Sequence, residues 1–117
     1  MKRDINLFIQ DILESIELIE DYTKGTNKEE FLNKDSNLQM KDAILRRLEI
    51  IGEAVKNIPE DFKNKYPNVS WKKIAGMRDI LTHEYFGVIL ERVWKTAKDD
   101  LPKLKEKILK ILKEIKN

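Results

Sequence analysis

One stretch of this chain collects side chains able to do chemistry: Met77, Arg78, Asp79, Ile80, Leu81, Thr82, His83, Glu84, Tyr85, Phe86 and Gly87. It holds the single histidine of the sequence. An imidazole can both take and give a proton near neutral pH. An arginine is a permanent cation whose donor fork suits phosphate oxygens. Together they are a minimal kit for cutting RNA without a metal. The base removes the 2′-hydroxyl proton, and the cation holds the charge of the pentacoordinate phosphate.

Spacing constrains how these groups can meet. Asp79 and His83 are four apart, so on a helix they share a face, where the carboxylate would fix the imidazole tautomer and raise its pKa. Arg78 and Tyr85 are seven apart and lie nearly in line. Arg78 and His83 are five apart, which places them about 140° apart around a helix. One regular helix therefore does not aim both at one phosphate. Either the helix bends or ends before His83, or two copies of the segment meet across a two-fold axis. The residues alone leave a plainer reading open. A histidine near a helix C-terminus is also a favourable charge–dipole placement, and Arg beside Asp is also a surface ion pair.

The rest of the chain must position this segment. At 117 residues with no cysteine, the sequence predicts one domain (1–117), no disulfide, no thiol nucleophile and no thiolate metal site. One histidine excludes a multi-His zinc site within a chain. No apolar run approaches the length of a membrane span, and no apolar signal region follows Met1, Lys2, Arg3 and Asp4. The expectation is a cytoplasmic protein. A monomer of this size buries only about 60–70% of its unfolded surface, which favours a homodimer. Residues 1–55 carry 8 basic and 12 acidic groups, and residues 56–117 carry 15 basic and 9 acidic. Such runs are most simply two solvated helix faces, with attraction of a polyanion as the sharper alternative.

Apolar residues recur with a helical period. Ile5, Ile9, Ile12, Ile16 and Ile19 form one stripe; Ile44, Leu48, Ile51, Val55 and Ile58 a second; Leu101, Leu104, Ile108, Ile111 and Ile115 a third. No strand alternation is visible. The expected fold is all-α, an up-and-down bundle of four to five helices with short extra helices. Helices are expected over 4–22, from Thr26 (capping box with Glu29) to Leu32, over 37–57 after Asp35 or Ser36, over 60–65 with Pro59 at the first position, and over 71–85 with Gly87 as its stop. A last helix from about 88 meets Pro102, which implies a kink or a restart capped by Asp99 or Asp100.

The string Arg78-x-x-x-x-His83-x-Tyr85 resembles the R-x-x-x-x-H-x-Y signature of HEPN-superfamily proteins of the HepT-like type. The likeness covers nearly the whole chain: Arg46-Arg47-Leu48-Glu49-Ile50-Ile51-Gly52-Glu53-Ala54, the Pro59 helix, Val69 through Asp79, the signature, and Val93-Trp94 followed by Asp100-Leu101-Pro102. This resemblance implies a HEPN bundle working as a homodimer with both motifs in a shared cleft. It implies a metal-independent endoribonuclease, the toxin of a toxin–antitoxin pair, with Arg78 and His83 catalytic and Asp79 supporting. It also implies that Tyr85 accepts AMP from a partner minimal nucleotidyltransferase (MntA-like), which silences the toxin. RNA is the implied substrate, and no cofactor, metal or membrane is expected. The alternatives are a non-catalytic HEPN nucleotide- or RNA-binding subunit of a nucleotidyltransferase complex and a purely structural helical dimer.

Other residues have milder readings. Trp71 and Trp94 are expected as core or dimer-face anchors. Gly52 and Gly76 fall inside helices, where glycine costs about 1 kcal/mol relative to alanine, so close helix packing is expected there. Arg46 and Arg47 are expected in surface ion pairs with Asp42, Glu49 or Glu53. Met40 and Met77 are expected to be packing residues.

Overall fold

A computed structural model describes the backbone of residues 4–83 and 90–116 and the side chains of residues 4–78 and 90–115. Among the described residues all regular structure is helical: α1 (Ile5–Thr23), α2 (Lys28–Leu32), α3 (Leu38–Asn57), α4 (Glu60–Asn64), α5 (Trp71–His83), α6 (Leu90–Lys95), a π turn (Thr96–Asp100) and α7 (Leu101–Lys116). No described helix is long and apolar enough to cross a membrane.

Side-chain chemistry sets the helix starts. The Asp4 carboxylate accepts from the Asn6 N–H at 3.0 Å and caps α1, as its type predicts. The chain leaves α1 through Gly25 at φ +82°, a conformation glycine adopts without strain. Asn27, not Thr26, caps α2, because its side-chain oxygen accepts from the Glu30 N–H at 2.8 Å. The Thr26 hydroxyl is turned to the Met40 sulfur instead. Neither Asp35 nor Ser36 caps α3. The Ser36 hydroxyl donates back to the Glu30 carbonyl at 3.0 Å, and Asn37, left-handed at φ 54°, takes the cap position without a side-chain bond. Pro59 stands one residue earlier than expected, as the cap of α4.

Pro102 does not restart the chain as a new capped helix, and helical structure runs through it. The π turn precedes it, and the Leu101 N–H donates to the Thr96 carbonyl five residues back. A regular α register would press the Pro102 ring against the carbonyl four residues earlier. The wider turn relieves that crowding and lets α7 continue, so Asp99 and Asp100 are not needed as caps.

The three apolar stripes form the core, and their middle positions are almost fully buried. The stripe ends are less covered: Ile5 is half-buried and Ile115 is exposed. α1 packs on α3 and on α7, and α5 packs on α3. Fully burying one Ile or Leu contributes about 1.5–3 kcal/mol, against about 0–1 for an exposed ion pair, so the stripes set the fold. α2 is held by Phe31, fully buried with its ring 5.1 Å from that of Trp94 on α6. Trp71 is buried as expected. Its indole N–H lies 3.1–3.2 Å from the Tyr66 and Lys63 carbonyls, which fixes α4 and its loop against the start of α5.

Candidate active site

α5 carries the signature, and its seat on α3 is set by a glycine. A Cβ added to Gly52 would stand 2.9 Å from Arg78 Cβ, 3.4 Å from the Arg78 nitrogen and 3.5 Å from the Ile74 carbonyl oxygen. The two helices are therefore in close approach at Arg78, which is the close packing expected at Gly52. Gly76 is different: among the described residues nothing lies within 4 Å of where its Cβ would be.

Arg78 is half-buried, and its guanidinium meets the Glu53 carboxylate of α3 at 3.1 Å. It borders an open pocket of about 340 Å³ whose other walls include Phe8 and Asp11 of α1 and Arg46, Ile50 and Asn57 of α3. Arg46 is paired with Glu49 at 3.6 Å, one of the surface pairs expected for it. Glu53 is the functional neighbour the sequence did not single out for Arg78. The contact joins two helices 25 positions apart in the chain, and no local periodicity announces it.

α5 remains helical through His83. Of the two ways to bring Arg78 and His83 to one phosphate, an end to the helix before His83 is thus excluded. On a continuous helix the two positions diverge by about 140°. The side chains of Asp79 and His83, and all of Tyr85, lie outside the described residues. What the arrangement offers chemically is a cation held at the α3–α5 crossing, on the helix that leads to the single imidazole. A guanidinium so placed can exchange a carboxylate for a phosphate oxygen, since both fit its donor fork.

Residues 12–111 match the family described as Ribonuclease HepT-like. The chain belongs to this family. The HepT-like chain is 50% identical over 113 residues to the "Probable ribonuclease HepT" of Thermococcus cleftensis, covering 97% of this chain and 100% of that protein. It is 50% identical over 114 residues to the "Putative RNase MJ1216" of Methanocaldococcus jannaschii, covering 97% and 92%. A third relative, the "Gamma-glutamylcyclotransferase and putative RNase MJ0434" of the same organism, is 50% identical over 115 residues, 98% of this chain. The HepT-like chain spans about half the length of that protein. No solved structure matches it.

Proposed function

We propose that this HepT-like chain is a metal-independent endoribonuclease that works as a homodimer. The observation that carries the reading is Arg78 seated over Gly52 and paired with Glu53, on a helix that runs on through His83. Two copies of α5 across a two-fold axis set the arginine of one beside the histidine of the other, which one helix cannot do. Residues 1–117 then act as one HEPN domain in the cytoplasm.

In the proposed reaction His83 takes the proton of an RNA 2′-hydroxyl. The 2′-oxygen attacks the adjacent phosphorus, and the bond to the 5′-oxygen breaks as that oxygen takes a proton from water, to which His83 returns its own. The products are a 2′,3′-cyclic phosphate and a 5′-hydroxyl. Arg78 stabilises the charge on the phosphorane oxygens. To do so it leaves Glu53, a part-exposed pair worth about 1 kcal/mol, which a doubly hydrogen-bonded phosphate outweighs. Asp79 holds the His83 tautomer from one turn away. Tyr85 is the acceptor for AMP from a partner minimal nucleotidyltransferase. The added bulk and negative charge repel RNA from the cleft, which makes the pair a toxin and its antitoxin.

The test is RNA cleavage in excess EDTA by protein whose intact mass shows a bare Tyr85, beside folded R78A and H83A variants. Cleavage with cyclic-phosphate ends, lost by a factor of about 100 or more in each variant, is the expected result. No cleavage of any RNA by the bare, folded protein would transfer the assignment to a non-catalytic nucleotide- or RNA-binding subunit.

A further inference from the structure

The active-site reading leaves a second feature of α5 unused. On its side toward α7 a groove of about 220 Å³ opens between the two helices. Val69, Ile74, Leu101 and Leu104 form its apolar floor. Its rim is cationic: Lys73 from α5, and Lys103 and Lys107 from α7, with Ser70 at one end and Asp100 as the single carboxylate.

Several cations elsewhere in the molecule are already matched by carboxylates. Lys28 is paired with Glu91, Lys63 with Glu60, Arg46 with Glu49, Arg78 with Glu53, and Lys105 with Glu20 and Glu17. Neither Lys73 nor Lys103 has an ion-pair partner among the described residues, and both are exposed. Lys107 crosses the groove to donate to the Asn68 carbonyl at 2.7 Å, and an ammonium with one bond made keeps two donors. Three ammonium groups from two helices therefore line one channel against the single carboxylate of Asp100. Such a channel is complementary to a chain of phosphates. It also lies along the helix that carries the signature. Lys73 and Arg78 are about 7.5 Å apart along the α5 axis and about 140° apart around it, so the groove and the arginine occupy different sides of one helix.

We propose that the α5–α7 groove is a track for the phosphate backbone of a single RNA strand, held by Lys73, Lys103 and Lys107. This rests on the ribonuclease reading for the identity of the polyanion. The groove supplies affinity and register and takes no part in bond breaking, because phosphate contacts position a strand without reading its bases. Its counterions are released when RNA enters, so its contribution must appear in the salt dependence of binding.

The experiment measures binding of a fluorescein-labelled single-stranded RNA of mixed sequence to the full chain carrying H83A, so that cleavage does not intervene. It is repeated with K73A/K103A added, and with K110A/K113A added as a control. Lys110 and Lys113 are exposed lysines of α7 that do not line the groove, so the control removes the same charge elsewhere. Each single-strand phosphate contact contributes a slope of about 0.7 in log affinity against log salt. Loss of two contacts should shrink the affinity drop between about 50 and 200 mM salt by about sevenfold. The expected result is that loss in K73A/K103A and a near-native slope in K110A/K113A. Equal slopes in the two pairs, or RNA binding undetectable in H83A alone, would overturn the groove. Wild-type cleavage is scored separately. A chain that cuts RNA while K73A/K103A keeps the native slope retains its reading and loses the track. A chain that cuts nothing while the groove pair loses its slope shows the reverse.

Discussion

The two flanks of α7 are built from similar residues and end differently. Toward α1, Lys105 meets Glu20 at 2.8 Å and Glu17 at 3.8 Å, and the helices close over Ile12, Ile16, Ile108 and Ile111. Toward α5, Lys103 and Lys107 face Lys73, and a groove remains. Both flanks have apolar side chains to bury. The difference lies in the facing charge: acidic residues of α1 neutralise Lys105 of α7, whereas α5 presents Lys73 to Lys103 and Lys107. Opposite charges permit close approach, and like charges hold two helices apart unless an anion comes between them. The opposite charges of the two halves of the sequence are thus partly spent inside the fold, and three of the lysines left over line one seam.

The largest effect should come from opening the closed flank. Ile108 is fully buried on α7, and Ile108→Ala should cost about 2–5 kcal/mol by lost transfer energy and a residual cavity. Lys103→Ala on the open flank should stay within about 0.5 kcal/mol. Urea unfolding of both variants measures the contrast. Equal shifts in midpoint would show that the two flanks are equally packed.

A smaller effect is expected at Gly52, where α5 is fixed on α3. Gly52→Ala sets a methyl 2.9 Å from Arg78 Cβ. Overpacking of this kind typically costs about 1–3 kcal/mol. Because the far side of α5 borders the open groove, α5 can yield in that direction, and the cost should fall toward the lower end. The yielding carries Arg78 away from Glu53, so RNA cleavage should fall further than stability. A variant destabilised by more than about 3 kcal/mol would mean that α5 is clamped on both sides and the groove gives no room.

How much of this was legible in the sequence depended on the range of the interaction. The stripe positions Ile9 to Ile19, Ile44 to Ile58 and Leu101 to Ile111 are readable because helical period and burial are the same information. Ile115 obeys the period and is exposed, since the end of α7 extends past what covers it. Gly52 was legible as a close approach, but Gly76, with the same local signature, has no such neighbour among the described residues. A glycine says that a Cβ is missing and not what stands opposite. Thr26 has the right type for a cap and loses to Asn27, whose longer side chain reaches the Glu30 N–H. The Arg78–Glu53 pair and the meeting of Lys73 with Lys103 depend on which helices become neighbours, which residue spacing does not encode. The spacing of Arg78 and His83 did encode something: their divergence on one helix, which α5 preserves by continuing through His83.

The smallest effect tests the charge argument itself. The Lys105 ammonium is held above the usual lysine range, first by its bond to Glu20 and then by the charges of Glu20, Glu17 and Asp21, against a lowering by burial. A group whose folded pKa is raised stabilises the fold below its unfolded value, here 10.5, and loses that contribution as pH rises through the folded value. Tyr66 is raised from 10.0 chiefly by its bond to Glu114, so stability has a second reason to fall at alkaline pH. Lys105→Met separates the two. It keeps the apolar stem and removes the charge, while Tyr66 is common to both proteins. At neutral pH wild type should be more stable by up to about 1 kcal/mol, as for a part-exposed pair. That gap should narrow with added salt and close above the lysine pKa, while both proteins share the Tyr66 decline. Urea midpoints across this pH range measure it. A gap that persists in high salt and at high pH would assign the closed flank to packing by the Lys105 stem rather than to its charge. The open flank would then need a cause other than the like charges that line it.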